Sequence, residues 1–149
     1  MSNDDLSART LFWRYAAACI DIRQQTGGIT VDEYQRAHQH VHDRTTPTLA
    51  ELQQWFPRPF AWFRDNGKDF ELRTVKYYWH VQHRSAQENT PVRTATIVCH
   101  TKDPKLWDAC IMLPRQSVEK RAVINLHNLN LTPGARVTVH AYVVAEILD

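Results

Sequence analysis

The chain has 149 residues, 43% of them hydrophobic and 23% charged, proportions of an ordinary globular domain and far from those of a disordered chain. Its net charge of +2 with His neutral, and a pI of about 8.5, fall short of the pI above ~9 that marks a dedicated nucleic-acid domain. No apolar run nears the ~18 residues of a membrane span, and the acidic start Met1-Ser2-Asn3-Asp4-Asp5 leads into no apolar signal core. The expectation is one domain over residues 1–149, cytoplasmic and with no membrane partner.

The first half has helical periodicity. Leu11, Phe12, Tyr15, Cys19 and Ile22 recur at i, i+3, i+4 spacing, and Trp13, Ala16 and Ile20 widen the stripe until the helix is apolar nearly all round. Such a helix is central to a core or covered by a partner, so a homodimer or an obligate partner is expected. Thr26-Gly27-Gly28 stops it, because glycine readily adopts the left-handed cap. Thr30 with Glu33, then Thr48 with Glu51, have capping-box spacing. They place helices over about Val31–Asp43, with Tyr34, Ala37 and Val41 facing inward, and from Leu49 to Phe56. Pro57 and Pro59 separate this from a short helical turn through Phe60, Trp62 and Phe63, and Asp65-Asn66-Gly67 ends the helical half.

From Phe70 the reading changes to period 2. Val75, Tyr77, Trp79 and Val81 fall on one side of a strand; Lys76, Tyr78, His80, Gln82 and Arg84 fall on the other. Further strands are expected over Val92–Thr101, Leu106–Leu113, Arg121–His127 and Ala135–Ile147, joined by short turns and therefore antiparallel. The fold class is α+β: N-terminal helices over about residues 7–65 packed on a C-terminal antiparallel sheet of about five strands over about residues 70–147. Residues 1–69 carry −1 and residues 70–149 carry +3, which favours a local basic face.

The chemistry-bearing residues form three groups. His38 and His42 lie one turn apart, a spacing that suits two imidazoles on one zinc ion, but no third ligand falls on that face and Gln39 stands where a metalloprotease helix has glutamate. They are weak candidates, better explained as positive charge at a helix C-terminus, and no metal or cofactor is expected. Cys19, Cys99 and Cys110 are odd in number and lack C-x-x-C spacing, which disfavours a disulfide framework or a structural zinc site. Strand parity instead gathers Lys76, Tyr78, His80 and Arg84 with His140 and Tyr142 on one polar sheet face. Aromatic residues among cations stack bases and neutralise phosphates; histidines on such a face also exchange protons near neutral pH. Trp55, Arg58 and Trp62, in the densest aromatic segment, have the composition of a protein-partner hot spot. No P-loop, Gly-rich dinucleotide turn or nucleophile elbow is present. The expected function is a non-enzymatic binding or adaptor protein recognising a protein or nucleic acid. The alternative is a small cofactor-independent enzyme with a pocket between helices and sheet, using His80 or His140 as acid/base.

Overall fold

Both capping boxes form. Thr30 accepts from the Glu33 N–H at 3.1 Å while the Glu33 carboxylate accepts from the Thr30 N–H at 2.9 Å, and Thr48 and Glu51 repeat the exchange at 3.2 and 2.9 Å. They start helices α3 (Val31–Asp43) and α4 (Leu49–Trp55). The computed structural model describes residues 3–83 and 92–148, with side chains from Ala8 onward in the first stretch. Its element order is that of an α+β fold, helices first and strands second. The chain divides into two compact units, Met1–Gln82 and His83–Asp149.

The helical unit is built around its first helix. The long apolar helix is broken into α1 (Asn3–Ala16), a 3-10 turn at Ala17–Cys19 and α2 (Ile20–Gln25), which Gly27 ends at φ 78°. Leu11, Phe12, Trp13, Tyr15 and Ala16 are all buried, whereas Ile22 is 48% exposed. Phe12 meets Phe56, Phe60, Phe70 and Trp79, and Trp13 meets Trp55 and Phe56. The apolar character of α1 is thus used by the chain's own aromatic residues. α5 (Pro57–Asp65) begins at Pro57, whose fixed φ suits a first helical turn.

The expected first strand is a helix. Leu72–Tyr77 forms α6, which continues as a wider π-type turn over Tyr78–Gln82. Thr74, Val75, Tyr78 and Trp79 are buried while Tyr77 and Val81 are about half exposed, a 3.6-residue period. Lys76, Tyr78 and His80 consequently do not lie on a sheet. Arg84 lies outside the described residues.

The second unit is a five-stranded closed barrel in the order β1-β2-β3-β5-β4. Its strands are β1 (Val92–His100), β2 (Leu106–Met112), β3 (Val118–Ile124), β4 (Arg136–His140) and β5 (Val143–Leu148). Four contacts are antiparallel; β3 and β5 meet in parallel at one register pair, Ile124 with Val143. The spatial run β4-β1-β2-β3 is a Greek key, and β5 closes it. Alternate residues fill the interior: Ala95 and Ile97, Trp107, Ala109 and Ile111, Val123, Val137 and Val139, and Val144. Irregularities between Ile97 and Cys99 and between Thr138 and Val139 bend two strands.

Two strand boundaries differ from the sequence reading. β3 starts earlier and stops at Ile124, because Asn125 ties the following turn to Leu129 through both its amide atoms. The single strand expected over Ala135–Ile147 is two strands joined by Ala141-Tyr142, with φ of 49° and 64°. Consecutive positive φ values make this a primed hairpin turn, normally occupied by Asn-Gly or Gly. Ala141→Gly should therefore raise stability by about 0.5–1 kcal/mol, measured as a shift of the denaturant midpoint at constant slope.

Candidate functional site

β3 and β5 pair only at Ile124 with Val143, so Glu119 and Arg121, which precede Val123 on the inward parity of β3, have no ladder partner on β5. The Glu119 and Arg121 side chains are 31% and 51% exposed and 3.3 Å apart. Arg121 leans across to Tyr142: its Nη1 donates to the phenol oxygen at 3.0 Å, and its guanidinium carbon lies 3.8 Å from the ring centroid. The strained turn at Ala141-Tyr142 is what brings the ring there, and the Tyr142 carbonyl is fixed by the Ile124 N–H at 2.8 Å. Tyr142 remains 38% exposed.

On the other side of the same β3 end stands the connection between β1 and β2. The Asn125 N–H donates to the Lys105 carbonyl at 2.8 Å. The connection is tied by its own side chains: Thr101 Oγ1 accepts from the Asp103 N–H at 3.1 Å, and Asp103 accepts from the Lys105 N–H at 2.9 Å. Lys102, Lys105 and Lys120 are exposed, and among the described residues none is paired with a carboxylate. One end of β3 thus has an Arg–Tyr stack on its β5 side and the lysine-bearing β1–β2 connection on its β2 side, whereas Lys120 falls on the parity opposite to Arg121. Charge is distributed accordingly: the helical unit has ten Lys/Arg and ten Asp/Glu, the barrel unit eight and six, so the net +2 belongs to the barrel.

The residues expected on one sheet face are divided between the units. Lys76, Tyr78 and His80 belong to the helical unit; His140 and Tyr142 belong to the barrel. Tyr78 is 4% exposed, and burial pushes its phenol up to about 12 against a smaller opposing pull from Arg58 and a small push from Cys19. The half-buried His80 has its Nε2 2.8 Å from the Tyr15 hydroxyl. His140 is fully buried, its Nε2 3.0 Å from that of His83, with the two rings perpendicular. Of the sheet-face residues, Tyr142 is the one that the structure places in the basic site.

The hot-spot residues also separate. Trp55 is buried at 2% exposure and forms part of the core with Trp13 and His40, so it is no partner anchor. Arg58 is exposed, and the partly exposed Trp62 stacks on the half-exposed Tyr77 with ring centroids 5.9 Å apart. His38 and His42 do not converge: His38 faces Asp21 at 3.6 Å and Tyr34, whereas His42 faces Asp43 at 3.0 Å. Among the described residues no group of three or more His, Cys, Asp or Glu is placed to hold a metal ion. Between them, His40 meets Glu51 at 3.3 Å, and Arg36 pairs with the same carboxylate. Burial pushes the Glu51 carboxyl up, but the Thr48 N–H, Arg36 and His40 together hold it below its ordinary value.

Strand parity does not gather Arg121, Lys102 and Lys105 with the other site residues. Arg121 falls on the core parity of its strand, and nothing local reveals that β3 parts from β5 beside it. The available signal was the pair of lysines in the short turn 101–105, between two well-patterned strands. Among known proteins, no family model, no curated protein and no solved structure matches this chain. No described helix is long and apolar enough to cross a membrane.

Proposed function

We propose that the protein is a binding protein whose barrel recognises single-stranded nucleic acid at the β3 end. The observation that carries this reading is the Arg121–Tyr142 stack at the β3 end that also meets the β1–β2 connection bearing the exposed Lys102 and Lys105. A guanidinium layered on an aromatic ring offers a flat surface on which a base stacks, and the lysines neutralise neighbouring phosphates. The architecture is compatible with this use. Five-stranded Greek-key barrels of the OB class bind oligonucleotides or oligosaccharides with the β2–β3 face and the β1–β2 and β4–β5 connections, the same connections that hold Lys105 and Tyr142 here. That parallel concerns architecture alone; the excess positive charge is what favours a polyanion over a neutral sugar.

The test is a salt titration of labelled single- and double-stranded oligonucleotides by fluorescence anisotropy. Affinity should fall as salt rises, through release of condensed counterions. Lys105→Ala should weaken binding and reduce the salt slope by about 1. Tyr142→Ala should cost ~1–3 kcal/mol through lost stacking. Absence of binding to either oligonucleotide at low salt, or a slope unchanged in Lys105→Ala, overturns the reading.

A protein partner is the second reading, and one observation favours it. The Trp62–Tyr77 pair borders a cleft of about 630 Å³ rimmed by Lys68, Asp69, Glu71 and Arg73. Exposed Trp and Tyr within a charged rim is the usual composition of an interface anchor.

A further inference from the structure

A second cleft in the helical unit differs in chemistry from everything above. It has a volume of about 400 Å³ and runs along α5, with Phe60, Phe63 and Phe70 against Ala61, and Arg64 and Lys68 among its lining residues. The three phenylalanines pack edge-on and tilted at centroid distances of 5.3 to 6.0 Å, so the apolar floor is preformed. No carboxylate lines this cleft; its other lining residues are Gln53 and Pro57.

The cations are positioned by the end of the helix. α5 stops at Asp65, Gly67 turns the chain at φ 61°, and the Lys68 N–H returns to the Phe63 carbonyl at 2.8 Å. This closure, six residues to one, sets Lys68 at the edge of the phenylalanine floor. Among the described residues Lys68 has no carboxylate partner. Arg64 meets Asp65 only through Nε at 3.4 Å, with both side chains more than two-thirds exposed, a pairing that water and salt largely screen.

We propose that this cleft binds a small amphiphilic carboxylate, with its apolar body on Phe60, Phe63 and Phe70 and its carboxylate on Lys68 and Arg64. The volume is within the range of small-molecule sites, which combine an apolar lining with a few polar groups that fix orientation. Charge sets the sign of the ligand: two cations in a lining that has no carboxylate of its own, one of them only weakly paired outside it with Asp65, favour an anion and oppose an amine of the same length.

The test is isothermal titration calorimetry with octanoate, octanol and octylamine. Octanoate should bind, octanol should bind more weakly, and octylamine should bind at least tenfold more weakly. Lys68→Glu, an exposed substitution outside the core, should weaken octanoate at least fivefold. Ala61→Trp, which fills the cleft, should abolish binding while oligonucleotide binding is retained. That last comparison separates this site from the barrel surface, since each can fail alone. Octylamine binding as tightly as octanoate, octanoate binding unchanged in Lys68→Glu, or no heat from octanoate at all would overturn the proposal.

Discussion

Trp79→Ala should cost the helical unit about 3–5 kcal/mol, the range for removing a large aromatic side chain from a packed core. Trp79 is 2% exposed. Its indole lies parallel to the Tyr15 ring at 5.5 Å and 11°, and meets Phe12 and Tyr78 edge-on at 5.6 and 5.2 Å. Alanine would leave a void between three rigid rings that cannot collapse into it, because α1 holds two of them and the π-type turn holds the third. Against a total stability of roughly 5–15 kcal/mol for a typical domain, the variant approaches the threshold of unfolding. The measurement is a denaturant melt followed by circular dichroism. Tyr77→Ala supplies the control: half exposed and two residues away, it should cost less than about 1 kcal/mol. Equal losses in the two variants would mean that 72–82 is an extended strand with both rings inside.

That control marks where the sequence was ambiguous. Val75 and Trp79 are four residues apart, a separation that puts them on one side at period 2 and at period 3.6 alike. The aromatic and β-branched residues of the segment tilt such a tie towards a strand. Only the neighbours separate the cases: a strand buries Tyr77 and exposes Tyr78, and the structure has the reverse. Where the signal was local it was legible. Both capping boxes, the stop at Gly27 and the strands at Val92 and Leu106 follow from residues within one turn or one hairpin. The hairpin at Ala141-Tyr142 was hidden because its turn lacks the glycine or asparagine that normally announces one. Closure of the barrel was hidden for a different reason. A sheet becomes a barrel through pairings such as Ile124 with Val143, nineteen positions apart in sequence, and periodicity carries no information about which distant strands meet. The candidate site depends on that closure, since Arg121 and Tyr142 are neighbours only because β5 returns beside β3.

Trp55→Ala is also expected to cost about 3–5 kcal/mol, and its contrast with Trp62→Ala tests which part of the aromatic segment faces outward. Both tryptophans lie within the run Trp55 to Phe63, whose composition suits a hot spot throughout. The fold treats them differently. α4 ends at Trp55 and turns its ring inward against Trp13 and His40, at 6.3 and 6.1 Å, while its carbonyl accepts from Arg23 Nε at 3.1 Å. Pro57 then restarts the chain as α5, and this change of direction carries Trp62 to a partly exposed position over Tyr77. Truncating Trp55 removes a core side chain and strips the cover from Trp13. Truncating Trp62 removes a partly exposed ring that stacks on Tyr77 and touches Phe63 and Tyr78; part of its surface already faces water, so its loss should cost less than that of Trp55. Denaturant melts should therefore rank Trp55→Ala as the more destabilised variant, by more than about 1 kcal/mol. If Trp62 is an anchor for a protein partner, Trp62→Ala should abolish capture of that partner while the variant remains folded, the behaviour of a hot-spot residue rather than a core one. A Trp62→Ala loss as large as that of Trp55→Ala would place Trp62 in the core and end the second reading.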